Sequence, residues 1–345
     1  METLIISGNA DLSTACEILN NGGIVATPTE TVYGLAGNAL NSDAINKIFR
    51  AKGRPNDNPL IVHIASLEML YTLVEEVSDD AQMLIDNFWP GPLTIIFDAK
   101  PNVVSSNVQA GLSTIAIRFP ANEIMQKLIE KCGFPLAAPS ANLSGKPSPT
   151  DVKHVICDLN GKVEAIIDGG SCNVGVESTV VDATKNPVKI VRSGGVTETM
   201  LKKIVSNIEN KEMNSTSLDI KPISPGMKYK HYSPNADLTI VQGLPEEIIF
   251  TINKLIYSHQ NLDKVGVLLP EEFLSNFTKV KTFNLGSMEN LEQVAQNLFA
   301  KLRELDEHQM EFVYTIAFPA QEIGVAIMNR LEKASGKSII KGFLE

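Results

Sequence analysis

The sequence lacks the residue patterns on which several common catalytic sites depend. Its 345 residues include only four cysteines, which form no C-x-x-C pair and have no histidine at zinc-ligand spacing. It also contains no H-E-x-x-H, no G-x-S-x-G and no P-loop motif. These absences argue against zinc hydrolysis, thiol catalysis, a serine nucleophile elbow and a Walker-type nucleotide site. We interpret the cysteines as reduced packing residues.

Long apolar runs and an excess of positive charge are also lacking. No stretch reaches the roughly 18 apolar residues of a membrane span, and METLIISGNADLS lacks the basic start of a signal peptide. The 30 Lys and Arg are outnumbered by 40 Asp and Glu, for a net charge of −10. We therefore expect a cytoplasmic protein with no membrane segment and no strong direct nucleic-acid binding. An anion site in such a chain has to be a local pocket.

The chain does contain an alternation of strand-like and helical segments, which is typical of α/β proteins. Its length suits two domains, and we predict a first domain at 1–206, a linker at 207–235 and a smaller α/β domain at 236–345. Ser42 to Lys52 has helical apolar spacing, with Ser42 as the expected N-cap. In the last domain, strands separated by single helices predict a parallel sheet. The strand order of the first domain is not readable from periodicity.

The second half of the linker differs from a simple spacer. PGMKYKHYSP places two tyrosines, one histidine and two lysines within ten residues. This composition indicates a segment that folds onto a surface.

Two polar segments of the first domain are candidates for binding. TPTETVYGLAGNA, from Thr27 to Ala39, places hydroxyls just after a predicted strand end, where α/β proteins bind ligands. A threonine-rich N-capping turn would explain the same residues. AKGRPNDNPLIVH brings Lys52 and Arg54 together at a helix end, where they either bind phosphate oxygens or only favour the helix dipole.

Two further segments extend this set. Arg118 in TIAIRFP faces either solvent or a pocket, and His63 in LIVHIA is either a core residue or a ligand. LAAPSANLSGKPSPT is a turn-rich connection, or a loop whose small residues let a phosphate or an adenosine approach the backbone. The cations of the polar segments predict a focused anion pocket: Lys52, Arg54, His63, Arg118, Lys146 and Arg192.

Seven segments follow one another along the first domain: PTETVYGLAGNA, KGRPNDNPLIVH, WPGPLTIIF, TIAIRFP, APSANLSGKPSPT, ESTVVD and VRSGG. In this order they resemble the YrdC-like family. PGMKYKHYSP and the second α/β domain are similar to the long, two-domain form of that family. The family pattern K-x-R followed by S-x-N is met by Lys52, Arg54, Ser140 and Asn142.

The resemblance implies a fold and an activity. The fold is a twisted-sheet α/β domain with a concave basic pocket, followed by a smaller Rossmann-like α/β domain. The activity is nucleotidyl transfer, in which L-threonine, bicarbonate and ATP give L-threonylcarbamoyl-adenylate and pyrophosphate. Mg²⁺ accompanies ATP, held through its phosphates without protein ligands. The product serves the threonylcarbamoyladenosine (t6A) modification of tRNA through a downstream tRNA threonylcarbamoyl transferase machinery.

The resemblance also implies site residues. The threonine-binding set is Thr31, His63, Arg118, Ser140 and Ser178. The ATP-binding set is Lys52, Arg54, Asn58, Thr114, Asn142, Ser148, Arg192, His231 and Tyr232. Lys52 and Arg54 are the expected catalytic residues, and Tyr232, with His231, is expected to close over the nucleotide.

Two other functions compete with this interpretation. An RNA-binding module of the same fold would use its basic concavity, although the few cations and the acidic chain argue against it. A relative that adenylates carbamoyl phosphate would be expected to carry additional zinc-finger-like cysteine motifs, which this sequence lacks.

Overall fold

The computed structural model describes residues 2–210 and 232–344. The chain forms two compact units. Within the described residues the first unit holds 2–144 and 148–210, and the second holds 145–147 and 232–344. The domain boundaries predicted from the sequence stay predictions. His231 and most of PGMKYKHYSP lie outside the described residues.

The first unit alternates strands and helices. Its strands are β1 (Leu4–Ser7), β2 (Val25–Thr27), β3 (Gly34–Asn38), β4 (Ile61–His63), β5 (Leu93–Asp98), β6 (Thr114–Arg118), β7 (Leu136–Ala137), β8 (Ala165–Asp168), β9 (Thr179–Asp182), β10 (Val188–Arg192) and β11 (Ile208–Asn210). Its helices are α1 (Ser13–Asn20), α2 (Ser42–Lys52), α3 (Leu67–Leu73), α4 (Asp79–Phe88), α5 (Ser106–Gln109), α6 (Glu123–Cys132), α7 (Val152–Leu159) and α8 (Glu198–Ile204).

These strands form one mixed sheet in the order β1-β8-β2-β3-β7-β4-β6-β5-β9-β10-β11. Strand β4 pairs with β6 in parallel and with β7 in antiparallel orientation. Strand β5 pairs antiparallel with β6 and parallel with β9. The order is far from the sequence order because loops and helices carry the chain across the sheet. The α/β class predicted for this domain is confirmed.

Helix α2 shows how the local sequence sets an element. Its apolar residues face the core, and Ala44, Ile45 and Ile48 are fully buried. The prediction that Ser42 caps this helix is wrong. The side chain of Asn41 accepts from the backbone N–H groups of Asp43 and Ala44, because it stands one residue earlier with extended backbone.

The second unit contains a five-stranded sheet in the order β14-β13-β15-β12-β16, and every pair in it is parallel. Its strands are β12 (Asp237–Gln242), β13 (Val265–Leu269), β14 (Lys281–Asn284), β15 (Phe312–Ile316) and β16 (Ile339–Lys341). Its helices are α9 (Pro245–Tyr257), a 3₁₀ turn at Leu262–Lys264, α10 (Glu271–Leu274), α11 (Leu291–Glu307) and α12 (Ile323–Ala334). The predicted parallel α/β sheet is confirmed.

None of the four cysteines, all within the described residues, forms a disulfide. Cys16 and Cys172 are buried, as packing residues should be, but Cys157 is exposed, so the packing interpretation is wrong for that residue. Across the described ranges no helix has the length and apolarity needed to cross a membrane.

Candidate functional site

The end of helix α2 fixes Lys52 and Arg54 relative to one another. Gly53 follows the helix in the left-handed conformation, with φ of 61°, and its N–H returns to the carbonyls of the last helical turn. Arg54 donates its backbone N–H to the carbonyl of Phe49 at 3.0 Å. Glycine adopts this φ without steric cost, so the K-G-R sequence places a lysine and an arginine on a tight reversal.

Lys52 ties this reversal to the loop that carries the S-x-N residues. Its side chain is buried, and Nζ donates to the carbonyl oxygens of Ser140 and Asn142, the latter at 2.6 Å. The hydroxyl of Ser140 in turn donates to Oδ1 of Asn142 at 2.5 Å. Burying an ammonium is costly unless oxygen atoms surround it. The K-x-R and S-x-N segments are therefore parts of one structure.

The loop after Arg54 presents an amide to the same region. The Arg54 guanidinium donates to the carbonyl of Pro59 at 3.3 Å, which holds the loop against the end of α2. Asn58 is buried, and its Oδ1 has no hydrogen-bond partner among the described residues. A buried amide oxygen of this kind indicates a position for a ligand donor.

His63 and Arg118 end two neighbouring strands. They are directly paired positions of the parallel strands β4 and β6, and both side chains are buried. Burial, together with the positive charge of Arg118, lowers the pKa of His63 to about 3, so its imidazole is neutral at physiological pH. Nδ1 of His63 has no hydrogen-bond partner within the described ranges.

Arg118 is held in one orientation by its neighbours. Its Nε donates to the carbonyl of Gly91 at 3.2 Å, and Nη1 donates to Oγ1 of Thr31 at 2.8 Å. Thr31 is itself fixed, because its hydroxyl lies 2.9 Å from that of Thr29. A guanidinium carries five N–H donors in a rigid fork, so donors remain for a planar anion such as a carboxylate.

Ser178 and Arg192 meet at the start of β9 and the end of β10. The Arg192 guanidinium donates to the carbonyl of Ser178 at 2.8 Å and to its hydroxyl at 3.0 Å. The Ser178 hydroxyl also lies 2.8 Å from that of Thr94, which is paired with Arg118 across β5 and β6. Ser148 donates its hydroxyl to Oε1 of Glu177 at 2.6 Å.

The structure therefore arranges the predicted residues in three groups. Lys52, Arg54, Asn58, Ser140 and Asn142 form the first group, Thr31, His63 and Arg118 the second, and Ser148, Ser178 and Arg192 the third. Thr94 joins the second and third groups. Ser140, predicted to bind threonine, makes its contacts in the first group, and Arg192, predicted to bind ATP, contacts the threonine-set residue Ser178.

Three other predicted residues are described by their own elements or units. Thr114 begins β6, at the opposite end of that strand from Arg118, where its carbonyl accepts from Gln109 at 3.3 Å. Tyr232 belongs to the second unit, where its ring lies 5.1 Å from that of Phe299. Lys146 lies in 145–147, also within the second unit. The roles proposed for all these residues stay predictions.

Three side chains of the site were missed by the sequence analysis: Glu30, Thr94 and Glu177. Glu30 and Glu177 lie inside the segments TPTET and ESTVVD. An acidic residue within segments that already supply predicted site residues was a signal that could have identified them. Thr94 is one residue of an apolar strand, and only strand pairing brings it to Ser178.

In chemical terms the site offers cations, hydroxyls, amides and one neutral imidazole, with the carboxylates of Glu30 and Glu177 held by Arg118 and Ser148. Such groups neutralise and orient anions, and they suit a reaction whose reactants carry carboxylate and phosphate charges.

The fold and this site together define a YrdC-like α/β domain joined to a Rossmann-like domain. Residues 17–194 match the Sua5, YciO and YrdC family described as "Telomere recombination", and residues 196–336 match "Threonylcarbamoyl-AMP synthase, C-terminal domain". The chain belongs to this family, in its long two-domain form.

Relatives of similar length support this assignment. The threonylcarbamoyl-AMP synthase of Bacillus subtilis is 43% identical over 97% of this chain and 96% of its own length. The enzyme of the same name from Pyrococcus abyssi is 44% identical over 95% of this chain and 94% of its own length. A solved structure of P. abyssi Sua5 complexed with L-threonine has a TM-score of 0.92 and 41% identity, covering 99% of this chain and 100% of that one.

Proposed function

We propose that this protein is an L-threonylcarbamoyl-adenylate synthase that uses L-threonine, bicarbonate and ATP and supplies the t6A modification of tRNA. The observation that carries the proposal is the pairing of neutral His63 with anchored Arg118 at the ends of β4 and β6. A guanidinium suits the amino-acid carboxylate, and an uncharged imidazole suits a polar group beside it. The relatives that match 97% and 95% of the chain carry the same activity in their names.

The chemistry has two steps. The amine of threonine attacks bicarbonate, and water leaves, so that a carbamate forms. A carbamate oxygen then attacks the α-phosphorus of ATP, an anhydride forms, and pyrophosphate leaves. Because bicarbonate, the carbamate and ATP are all anions, we assign Lys52, Arg54 and Arg192 the task of neutralising charge and aligning the phosphates.

The structure also suggests how the two substrates are kept apart. Strand β7 runs antiparallel to β4, and Ala138, the residue after β7, donates its backbone N–H to the carbonyl of Ile61, the first residue of β4. The chain that leaves β7 towards Ser140 therefore passes the start of β4. The Lys52 group therefore gathers near the start of β4, and His63 stands at its end. We propose a nucleotide subsite at the first position and a threonine subsite at the second.

Mg²⁺ is part of the proposal as an ion carried by the phosphates of ATP, where it would offset their charge. Among the described residues no group of three or more His, Cys, Asp and Glu side chains is arranged to hold a metal ion. The Asn58 amide oxygen and the Arg54 guanidinium would bind the nucleotide rather than the ion.

The setting of the reaction is proposed from the same chemistry. The product is a labile mixed anhydride, which favours closure of the site by the Tyr232 segment and direct use by a tRNA threonylcarbamoyl transferase machinery. We place the protein in the cytoplasm, where tRNA is modified, and cell fractionation tests that placement.

Pyrophosphate release tests the function directly. The purified protein is given ATP, bicarbonate and Mg²⁺, with and without L-threonine, and serine serves as the matched amino-acid control. We expect release that depends on threonine and on bicarbonate. Release at the same rate without threonine would refute the proposal, and salt-sensitive RNA binding without any pyrophosphate release would favour the RNA-binding alternative.

A further inference from the structure

Glu30 places a carboxylate against the arginine that is proposed to bind the substrate carboxylate. Its Oε1 lies 2.7 Å from Nη2 of Arg118, and both side chains are nearly buried, with 11% and 4% of their surface exposed. The same oxygen accepts the backbone N–H of Ala121 at 3.0 Å. Two oppositely charged groups this well shielded from water interact strongly and in a fixed geometry.

Glu30 is held from both sides, so it is a rigid partner for Arg118. Its own carbonyl accepts the backbone N–H of Val174 at 2.8 Å, and Ala121 directly precedes the N-cap of α6. Burial opposes ionisation of the carboxyl, but the charge of Arg118 and the Ala121 N–H outweigh it and keep the pKa of Glu30 below its ordinary value. Glu30 is therefore ionised near neutral pH.

The net charge of the Glu30–Arg118 pair affects how Arg118 attracts a substrate carboxylate. An ionised Glu30 cancels the net charge of Arg118, so the pair attracts a substrate carboxylate less by net charge than by the direction of its N–H donors. Glu30, Thr31 and Gly91 each take one guanidinium nitrogen. With the fork locked at three points, its other N–H groups keep a constant direction, which lowers the entropy cost of binding.

We propose that Glu30 is the positioning residue of the threonine subsite and acts through Arg118 by holding the guanidinium in the orientation that accepts the substrate carboxylate. This inference rests on the proposed function and adds a residue to it. It assigns no contact between Glu30 and ATP. Glu30 therefore controls threonine affinity, whereas binding of the nucleotide does not depend on it.

The test separates the two substrates in three Glu30 variants. Glu30→Gln keeps the shape and removes the charge, Glu30→Asp keeps the charge and shortens the side chain, and Glu30→Ala removes both. The matched control is Glu164→Gln. Like Glu30, Glu164 pairs with a cation, here Lys47 at 3.5 Å, and accepts a backbone N–H, here from Ile24 at 3.0 Å. The measurements are the KM for threonine and for ATP in pyrophosphate release, the Kd of threonine by calorimetry, and the thermal melting point of each variant.

We expect Glu30→Gln to weaken threonine binding roughly 10- to 100-fold, the range of interaction energies between groups that act in one contact network. The KM for ATP of the Glu30 variants should stay within about twofold of wild type, and so should the threonine Kd of Glu164→Gln. Glu30→Asp should bind threonine more tightly than Glu30→Gln, because it keeps the charge. An unchanged threonine Kd in folded Glu30→Gln, or equal rises in both KM values, overturns the inference. Wild-type protein that binds threonine but releases no pyrophosphate overturns the proposed function and leaves the Kd comparison as the test of Glu30. Wild-type protein that binds no threonine overturns both.

Discussion

The neutral state of buried His63 makes the stability of the first unit depend on pH. Burial and Arg118 lower the folded pKa of His63 to about 3, from an ordinary value of 6.5. Between these two values the unfolded chain binds a proton that the folded chain does not, so stability falls as the pH falls below 6.5. At pH 5 the expected loss relative to pH 8 is ~2 kcal/mol from His63 alone. A folded pKa of about 4 would give nearly the same loss of stability at pH 5, because His63 is neutral in the folded protein at that pH in either case. The measurement at pH 5 therefore does not depend on the exact folded pKa.

The assay uses the single tryptophan of the chain. Trp89 lies in the first unit, where its indole donates to the carbonyl of Leu93 at 2.7 Å, so its fluorescence in urea reports on that unit. Wild type and His63→Asn are unfolded at pH 8 and pH 5, and each free energy of unfolding is extrapolated to water. The control is His308→Gln, which removes a histidine from the surface of the second unit.

The variant should be less sensitive to acid than wild type. If wild type loses a given free energy between pH 8 and pH 5, His63→Asn should lose ~2 kcal/mol less, because its residue 63 binds no proton in either state. Comparing two pH values within each protein cancels any general cost of the substitution. Equal losses in wild type and His63→Asn, to within about 0.5 kcal/mol, would refute the reasoning, since additivity holds to about that margin.

Three further predictions concern the proposed substrate sites. Arg54→Ala should raise the KM for ATP, and Arg118→Ala the KM for threonine, each roughly 10-fold or more by loss of charged hydrogen bonds, as steady-state pyrophosphate release will show. Gly194→Ala should cost about 1–3 kcal/mol of stability, measured by urea unfolding, because a Cβ there would lie 2.3 Å from the carbonyl oxygen of Glu177. Tyr232→Ala should reduce ATP affinity and product yield, measured by calorimetry and chromatography.

Each of these predictions has a control and a contrary outcome. Equal effects of the two arginine variants on both substrates would contradict the residue assignment. Gly195→Ala is the control for Gly194, because a Cβ at Gly195 would meet side-chain atoms at 3.0 Å and not backbone; equal losses in the two variants would count against the argument. Tyr232→Phe keeps the ring that packs on Phe299. Unchanged affinity and yield in Tyr232→Ala would exclude its proposed role.

The sequence alone determined the elements whose causes are local. Helix α2 could be predicted because apolar spacing sets its buried face and Gly53 sets its end, although the N-cap was misplaced by one residue because Asn41 and Ser42 are both good caps. The parallel sheet of the second unit followed from its strand and helix alternation. Strand β7 has only two residues and β3 contains two glycines among its five, so neither has the composition of a strand. Such strands are held by their partners more than by their own composition.

The candidate site divides in the same way. The sequence determined the K-x-R reversal and the stock of cations, since both depend on neighbouring residues. Only the tertiary structure decided that Lys52 binds the backbone of the S-x-N loop, that Thr94 meets Ser178 and that Glu30 meets Arg118. The two hydrogen bonds join residues that are 90 and 84 positions apart in the chain. Thr94 and Ser178 meet because β5 pairs with β9, and periodicity does not encode which strands of a sheet pair with one another.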